Sequence, residues 1–154
     1  MSVVSDTTAI TTLLKAGEQH LLQRLFECVL VPQAVWDELS AFHTALPAFI
    51  ELRPVTNPEG RLPGTELLGR GEAEALLLAR ELNVRLLLTD DRKARLAARR
   101  LHIPCFGLVG MIVQARRLGC IKSVRNTLDQ LESKGGLYLS DAVRDEALQL
   151  ANEG

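Results

Sequence analysis

The stretch Arg85-Leu86-Leu87-Leu88-Thr89-Asp90-Asp91-Arg92-Lys93-Ala94-Arg95-Leu96-Ala97-Ala98-Arg99-Arg100-Leu101 decides the fold class. Leu86-Leu87-Leu88 is a continuous apolar run of the kind buried on both faces of a sheet, and it stops abruptly at two carboxylates. Arg92 to Leu101 then reads as a helix that turns Leu96, Ala97 and Leu101 toward a core. A doubly buried strand followed at once by a helix is one unit of an alternating α/β chain.

The alternation continues in both directions. Toward the N-terminus, Gly69-Arg70-Gly71 releases a helix over Glu72 to Leu82, too broadly apolar for a surface helix and so expected to pack on the sheet. Before it, residues 47–63 hold four of the six prolines, a strand over Phe49 to Val55 and a turn at Asn57-Pro58-Glu59-Gly60, which makes this the loop-rich region. Val29-Leu30-Val31 reads as a short buried strand, and Pro32 suits the first turn of a helix that carries Val35, Trp36 and Leu39 inward. Val3-Val4 opens the chain as another strand, followed by helices over Ala9 to Ala16, ending at Gly17, and over Glu18 to Phe26. Toward the C-terminus, His102 to Phe106 leads into a further strand. Gly107 and Gly110 bracket a turn into a helix over Met111 to Leu118, and another helix runs from Lys122 to Ser133. After Leu137-Tyr138-Leu139, Ser140 is placed to cap a last helix with Val143, Ala147, Leu150 and Ala151 on one face. Repeated β-α alternation implies a parallel sheet with right-handed crossovers. The 154 residues suit a single domain, 1–154.

Composition narrows the function classes. A 47% hydrophobic content with only 4% aromatics fits a Leu/Val/Ala-packed α/β interior. A formal charge of −1 argues against a strongly basic coat, so any nucleic-acid binding must use a local patch. No apolar run is long enough to span a bilayer and no signal peptide opens the chain, so a cytoplasmic location and no membrane partner are expected. Cys28, Cys105 and Cys120 lack zinc or redox spacing and read as small hydrophobes; His20, His43 and His102 show no ligand spacing.

Six acids fall at strand ends or on the helices that follow: Asp6, Glu38, Glu72, Glu74, Asp90 and Asp91. In an open α/β sheet, ligands bind outside the carboxyl ends of the strands. Carboxylates gathered there repel one another, and a divalent cation relieves the repulsion. Oxygen ligands without a His or Cys set suit Mg²⁺ or Mn²⁺. Such an ion activates water and polarises a phosphoryl group, so phosphodiester hydrolysis is the simplest chemistry. Arg92, Lys93, Arg95, Arg99 and Arg100 put five cations on the helix beside these acids, a surface suited either to solubility or to guiding phosphates.

Four segments carry a family resemblance: Val3-Val4-Ser5-Asp6-Thr7-Thr8, Val31-Pro32-Gln33-Ala34-Val35-Trp36-Asp37-Glu38-Leu39, Leu68-Gly69-Arg70-Gly71-Glu72-Ala73-Glu74-Ala75 and Leu87-Leu88-Thr89-Asp90-Asp91-Arg92. In this order the chain resembles the PIN-domain superfamily of metal-dependent nucleases, in a compact prokaryotic branch. The resemblance implies a three-layer α/β/α fold on a parallel sheet of four to five short strands. It implies a Mg²⁺- or Mn²⁺-dependent endoribonuclease acting on single-stranded RNA, with the toxin role of a toxin-antitoxin pair, an antitoxin partner and a homodimer served by residues such as Leu21, Leu25 and Trp36. Carried over, the catalytic acids are Asp6, Glu38, Glu72 and Asp91, with Glu74 and Asp90 as alternative metal ligands because the doublets leave the register open. Glu72 departs from the Asp commoner at that place. Thr7 becomes a substrate-binding residue by the resemblance, and Arg92, Lys93 and Arg95 are candidates for the same role from the charge of their helix.

The competing reading is a catalytically inactive RNA- or protein-binding module on the same fold. A phosphoryl-transfer enzyme with Asp6 as covalent nucleophile is disfavoured, because Thr8 stands where the haloacid dehalogenase pattern has a second Asp. Dinucleotide binding lacks its glycine fingerprint after the first strand.

Overall fold

A computed structural model of the protein describes residues 1–153. Among these, the elements are β1 (Val3–Ser5), α1 (Thr7–Ala16), α2 (His20–Leu25), β2 (Val29–Val31), α3 (Gln33–Phe42), β3 (Ile50–Leu52), α4 (Arg70–Leu82), β4 (Leu87–Leu88), α5 (Arg92–Arg100), β5 (Cys105–Phe106), α6 (Leu108–Arg117), α7 (Val124–Ser133) and α8 (Asp141–Leu150). The five strands form one sheet in the order β3-β2-β1-β4-β5, every neighbouring pair parallel. The α/β class and the parallel sheet are those expected from the alternation.

Strand periodicity sorts the side chains onto two faces. Val3, Val29, Val31 and Leu88 join a core built with α1, α2, α3, α6, α7 and α8. Val4, Leu30 and Leu87 point the other way, into a second core with α4 and α5. Three layers result, because a sheet apolar on both faces must be covered on both.

Several local expectations are corrected. Pro32 is not in the first turn of α3 but precedes it as an extended N-cap (φ −74°, ψ 172°), and the helix starts at Gln33. The strand expected over Phe49 to Val55 is confined to Ile50–Leu52, where the chain runs beside β2. Gly110 does not bracket a turn: α6 begins at Leu108 and Gly110 lies inside it. Leu96, Val143 and Leu150, expected to face the core, are exposed, while Ala97, Ala147 and Ala151 beside them are buried. Leu21 is fully buried, and Leu25 and Trp36 pack partly buried against the same core.

Candidate active site

Chain order reverses at the middle of the sheet, where β1 leads outward to β2 and β3 while its other neighbour, β4, leads to β5. Such a reversal opens a crevice outside the carboxyl ends of the two strands. Asp6 directly follows β1, and Asp90 stands two residues beyond β4.

Asp6 is held from three sides. Its backbone N–H donates to Leu88 O at 3.1 Å, prolonging the β1–β4 pairing. Its Oδ1 accepts the Ala9 N–H at 3.1 Å as the N-cap of α1, and its Oδ2 accepts the Thr89 hydroxyl at 2.5 Å. Only 1% of the residue is exposed. Burial pushes the carboxyl from its ordinary 3.8 up to about 6; the two hydrogen bonds oppose the rise, and the charges of Asp90 and Glu72 add to it. Those charges put Glu72 and Asp90 each within electrostatic reach of Asp6.

Asp90 Oδ1 accepts the Leu108 N–H at 3.0 Å, at the N-terminus of α6. Its Oδ2 is buried without a hydrogen-bond partner among the described residues, as is the Thr7 hydroxyl next to Asp6. Burial raises the Asp90 carboxyl above its ordinary value, against the pull of the Leu108 N–H and the positive charge of Arg95.

Three glycines make room for three carboxylates. A Cβ at Gly107 would run into Asp90 Oδ1, one at Gly71 would lie 2.7 Å from Glu38 Oε1, and one at Gly69 would lie 2.5 Å from Glu72 Oε2. Gly69 and Gly71 flank the start of α4, and Gly107 is the N-cap of α6, so these acids rest against helix N-termini, whose partial positive charge tempers their mutual repulsion.

The members of each doublet differ in what their carboxylates already hold. Glu74 is 3% exposed; its Oε1 accepts the Ala34 N–H at 3.0 Å and its Oε2 meets Arg70 Nε at 3.1 Å. It thus supplies from α4 the cap that Pro32 has no side chain to provide, and Glu72 is the member whose charge acts on Asp6. Asp91, expected among the catalytic acids, is the N-cap of α5 as Asp6 is of α1, its Oδ1 accepting the Lys93 and Ala94 N–H groups at 2.8 and 3.1 Å. Asp90 is the member of the pair whose charge acts on Asp6.

Among the described residues no three His, Cys, Asp or Glu side chains form a closed metal-binding group. Glu72 and Asp90 act electrostatically on Asp6, and Glu38 lies against Gly71 at the start of α4. The donor set nevertheless fits a hard divalent cation: carboxylates only, one of them buried and resisting ionisation, another with an unpartnered buried oxygen. Beside them, Arg92, Lys93 and Arg95 are exposed and make no ion pair within 4 Å among the described residues. Arg92, Arg95, Leu96 and Arg99 line, with Asp90, a surface groove of about 430 Å³.

Sequence reasoning missed Thr89, the Leu108 N–H and the seating role of the three glycines. Thr89 stood in plain view between the apolar run and the acids, but only the β1–β4 pairing brings its hydroxyl to Asp6.

A family model described as a PIN domain (DUF3368) matches residues 2–153. The chain belongs to the PIN-domain family. The match spans nearly all of the sequence, including the C-terminal helices that carry no motif. PIN domains are in general metal-using nucleases, which agrees with acids gathered at the β1/β4 reversal. No curated protein and no solved structure matches the chain. No helix of this PIN domain, among the described residues, is long and apolar enough to cross a membrane.

Proposed function

We propose that this PIN domain is a Mg²⁺- or Mn²⁺-dependent endoribonuclease that hydrolyses phosphodiester bonds of single-stranded RNA at the crevice between β1 and β4. The observation that carries this reading is Asp6: a carboxylate almost wholly buried, held by Ala9 and Thr89, and pushed up to about 6 by burial with the charges of Asp90 and Glu72 adding. A site that opposes ionisation of its own acids is adapted to a cation. Asp6, Glu38, Glu72 and Asp90 are the residues that would hold it; when bound, it would polarise the scissile phosphodiester and lower the pKa of water.

The chain's own groups supply the rest. Thr89 and the N-terminus of α1 fix the Asp6 carboxylate in place, so no reorganisation is needed when a ligand arrives. The Thr7 hydroxyl, buried next to Asp6 without a partner among the described residues, is a donor that a water drawn into the site would satisfy. Arg92, Lys93 and Arg95 attract the RNA backbone locally although the protein carries a net charge of −1. A cytoplasmic setting, a homodimer and the toxin role with an antitoxin partner rest on family kinship and belong to this proposal, not to the geometry.

The test is cleavage of a labelled single-stranded RNA with Mg²⁺ or Mn²⁺ and with EDTA, in wild type and Asp6→Asn. Metal-dependent cleavage that Asp6→Asn abolishes supports the reading. The second reading, an inactive binding module, draws on the lack, among the described residues, of three such side chains grouped to hold a metal ion; RNA binding with no cleavage under any metal would favour it.

A further inference from the structure

A second, larger groove shares Asp90 and Arg95 with the acid site. It has a volume of about 620 Å³, lies between β5, α6, α8 and the segment joining α7 to α8, and is lined by both polar and apolar side chains. That size lies in the range of small-ligand sites.

Three features point to an occupant. Tyr138 lines the groove and is 86% exposed, yet its neighbours Leu137 and Leu139 pack against the core, so the ring is held out by anchored residues on both sides. The groove is also lined by Arg117, which like Arg95 makes no ion pair within 4 Å among the described residues, and by Glu146 as well as Asp90. Gly110 lies within α6, where glycine is a poor helix former, and a Cβ there would meet nothing within 4 Å. Unlike Gly69, Gly71 and Gly107, this glycine accommodates no part of its own chain. The exposed Val143 and Leu150 complete the wall opposite.

We propose that this groove receives an unstacked base of single-stranded RNA, stacked on Tyr138, from a nucleotide adjoining the phosphodiester at Asp90. The inference rests on the nuclease reading of the acid site and names its substrate more closely. Single-stranded RNA is recognised by bases splayed onto aromatic side chains and by cations along the backbone. Both halves of that requirement meet at Asp90: the cations of α5 lie along the 430 Å³ groove, and Tyr138 and Arg117 along the 620 Å³ groove. A paired base cannot enter, which makes the groove a selector for single strands.

The experiment is fluorescence anisotropy in EDTA, so that no cleavage intervenes, with a labelled single-stranded oligoribonucleotide of mixed sequence and with its duplex. Wild type should bind the single strand, and the duplex roughly tenfold more weakly. Tyr138→Ala should weaken single-strand binding about 5- to 150-fold, the range expected for one lost base stack, while Tyr138→Phe retains it. Gly110→Leu should also weaken it, with a melting temperature unchanged or higher, because leucine favours the helix over glycine and its Cβ meets open space. Single-strand affinity unchanged in both Tyr138→Ala and Gly110→Leu overturns the inference. So does that result accompanied by loss of self-association in Gly110→Leu, which would assign the groove to a second copy of the chain. Absence of any RNA binding by wild type overturns it as well. The two readings fail separately: cleavage indifferent to Asp6→Asn defeats the acid site, whereas intact Asp6-dependent cleavage with an indifferent Tyr138 defeats only the groove.

Discussion

Replacing Asp6 by Asn should stabilise the metal-free protein at neutral pH and have little effect near pH 4. The folded carboxyl titrates at about 6 against an ordinary 3.8, so between these values the folded state binds the proton more tightly than the unfolded state does. Stability of the wild type is therefore greatest with Asp6 protonated, and it falls as pH rises from about 4 through 6. At about 1.4 kcal/mol for each pH unit, that loss approaches roughly 3 kcal/mol above pH 7, an upper bound. Asn has nearly the shape of the protonated acid and does not titrate, so the advantage of Asp6→Asn should grow from near zero at pH 4 to as much as about 3 kcal/mol at pH 7.5, or about 6 to 12 °C in melting temperature. Asp90, also raised by burial, titrates in both proteins and cancels to first order. Urea unfolding of both proteins in EDTA across pH 4.5 to 8, with the slope of the transition checked for constancy, measures the difference. An Asn variant less stable than wild type at pH 7.5, or a difference independent of pH, would refute the reasoning. Repeating the series in Mg²⁺ should shrink or reverse the difference, since wild type alone retains the full ligand set.

Asp90→Asn should abolish metal-dependent cleavage, whereas Asp91→Ala should keep it below the melting point and cost about 1 kcal/mol in thermal denaturation, as loss of an N-cap does. Glu74→Ala should destabilise by about 1 to 3 kcal/mol through the orphaned Ala34 N–H, while Glu72→Gln should lose cleavage with its urea midpoint kept or raised. Gly107→Ala should displace the Asp90 carboxylate and lower kcat more than it raises KM in an RNA cleavage assay, with the fold retained by circular dichroism. Mn²⁺ at one hundred times its Kd should raise the unfolding free energy of wild type by about 2.7 kcal/mol; no change in melting temperature would argue against the cation site.

The alternation of apolar runs with helical segments already determined a parallel α/β sheet, because a strand without a polar face must be covered on both sides and each crossover here has helical composition. The same linear pattern put acids at the carboxyl ends of the strands, since strand ends are visible where an apolar run meets Asp6 or Asp90-Asp91. It could not say which acid of each doublet faces the crevice. Two adjacent residues differ by their direction about the backbone, and that direction is decided by partners distant in sequence: Leu108 for Asp90, Ala34 for Glu74, Thr89 for Asp6. Nor could periodicity show that Val143 and Leu150 border a groove. An apolar face reads the same whether it meets a core or open space, and only the packing of α6, β5 and α8 left that space beside Asp90.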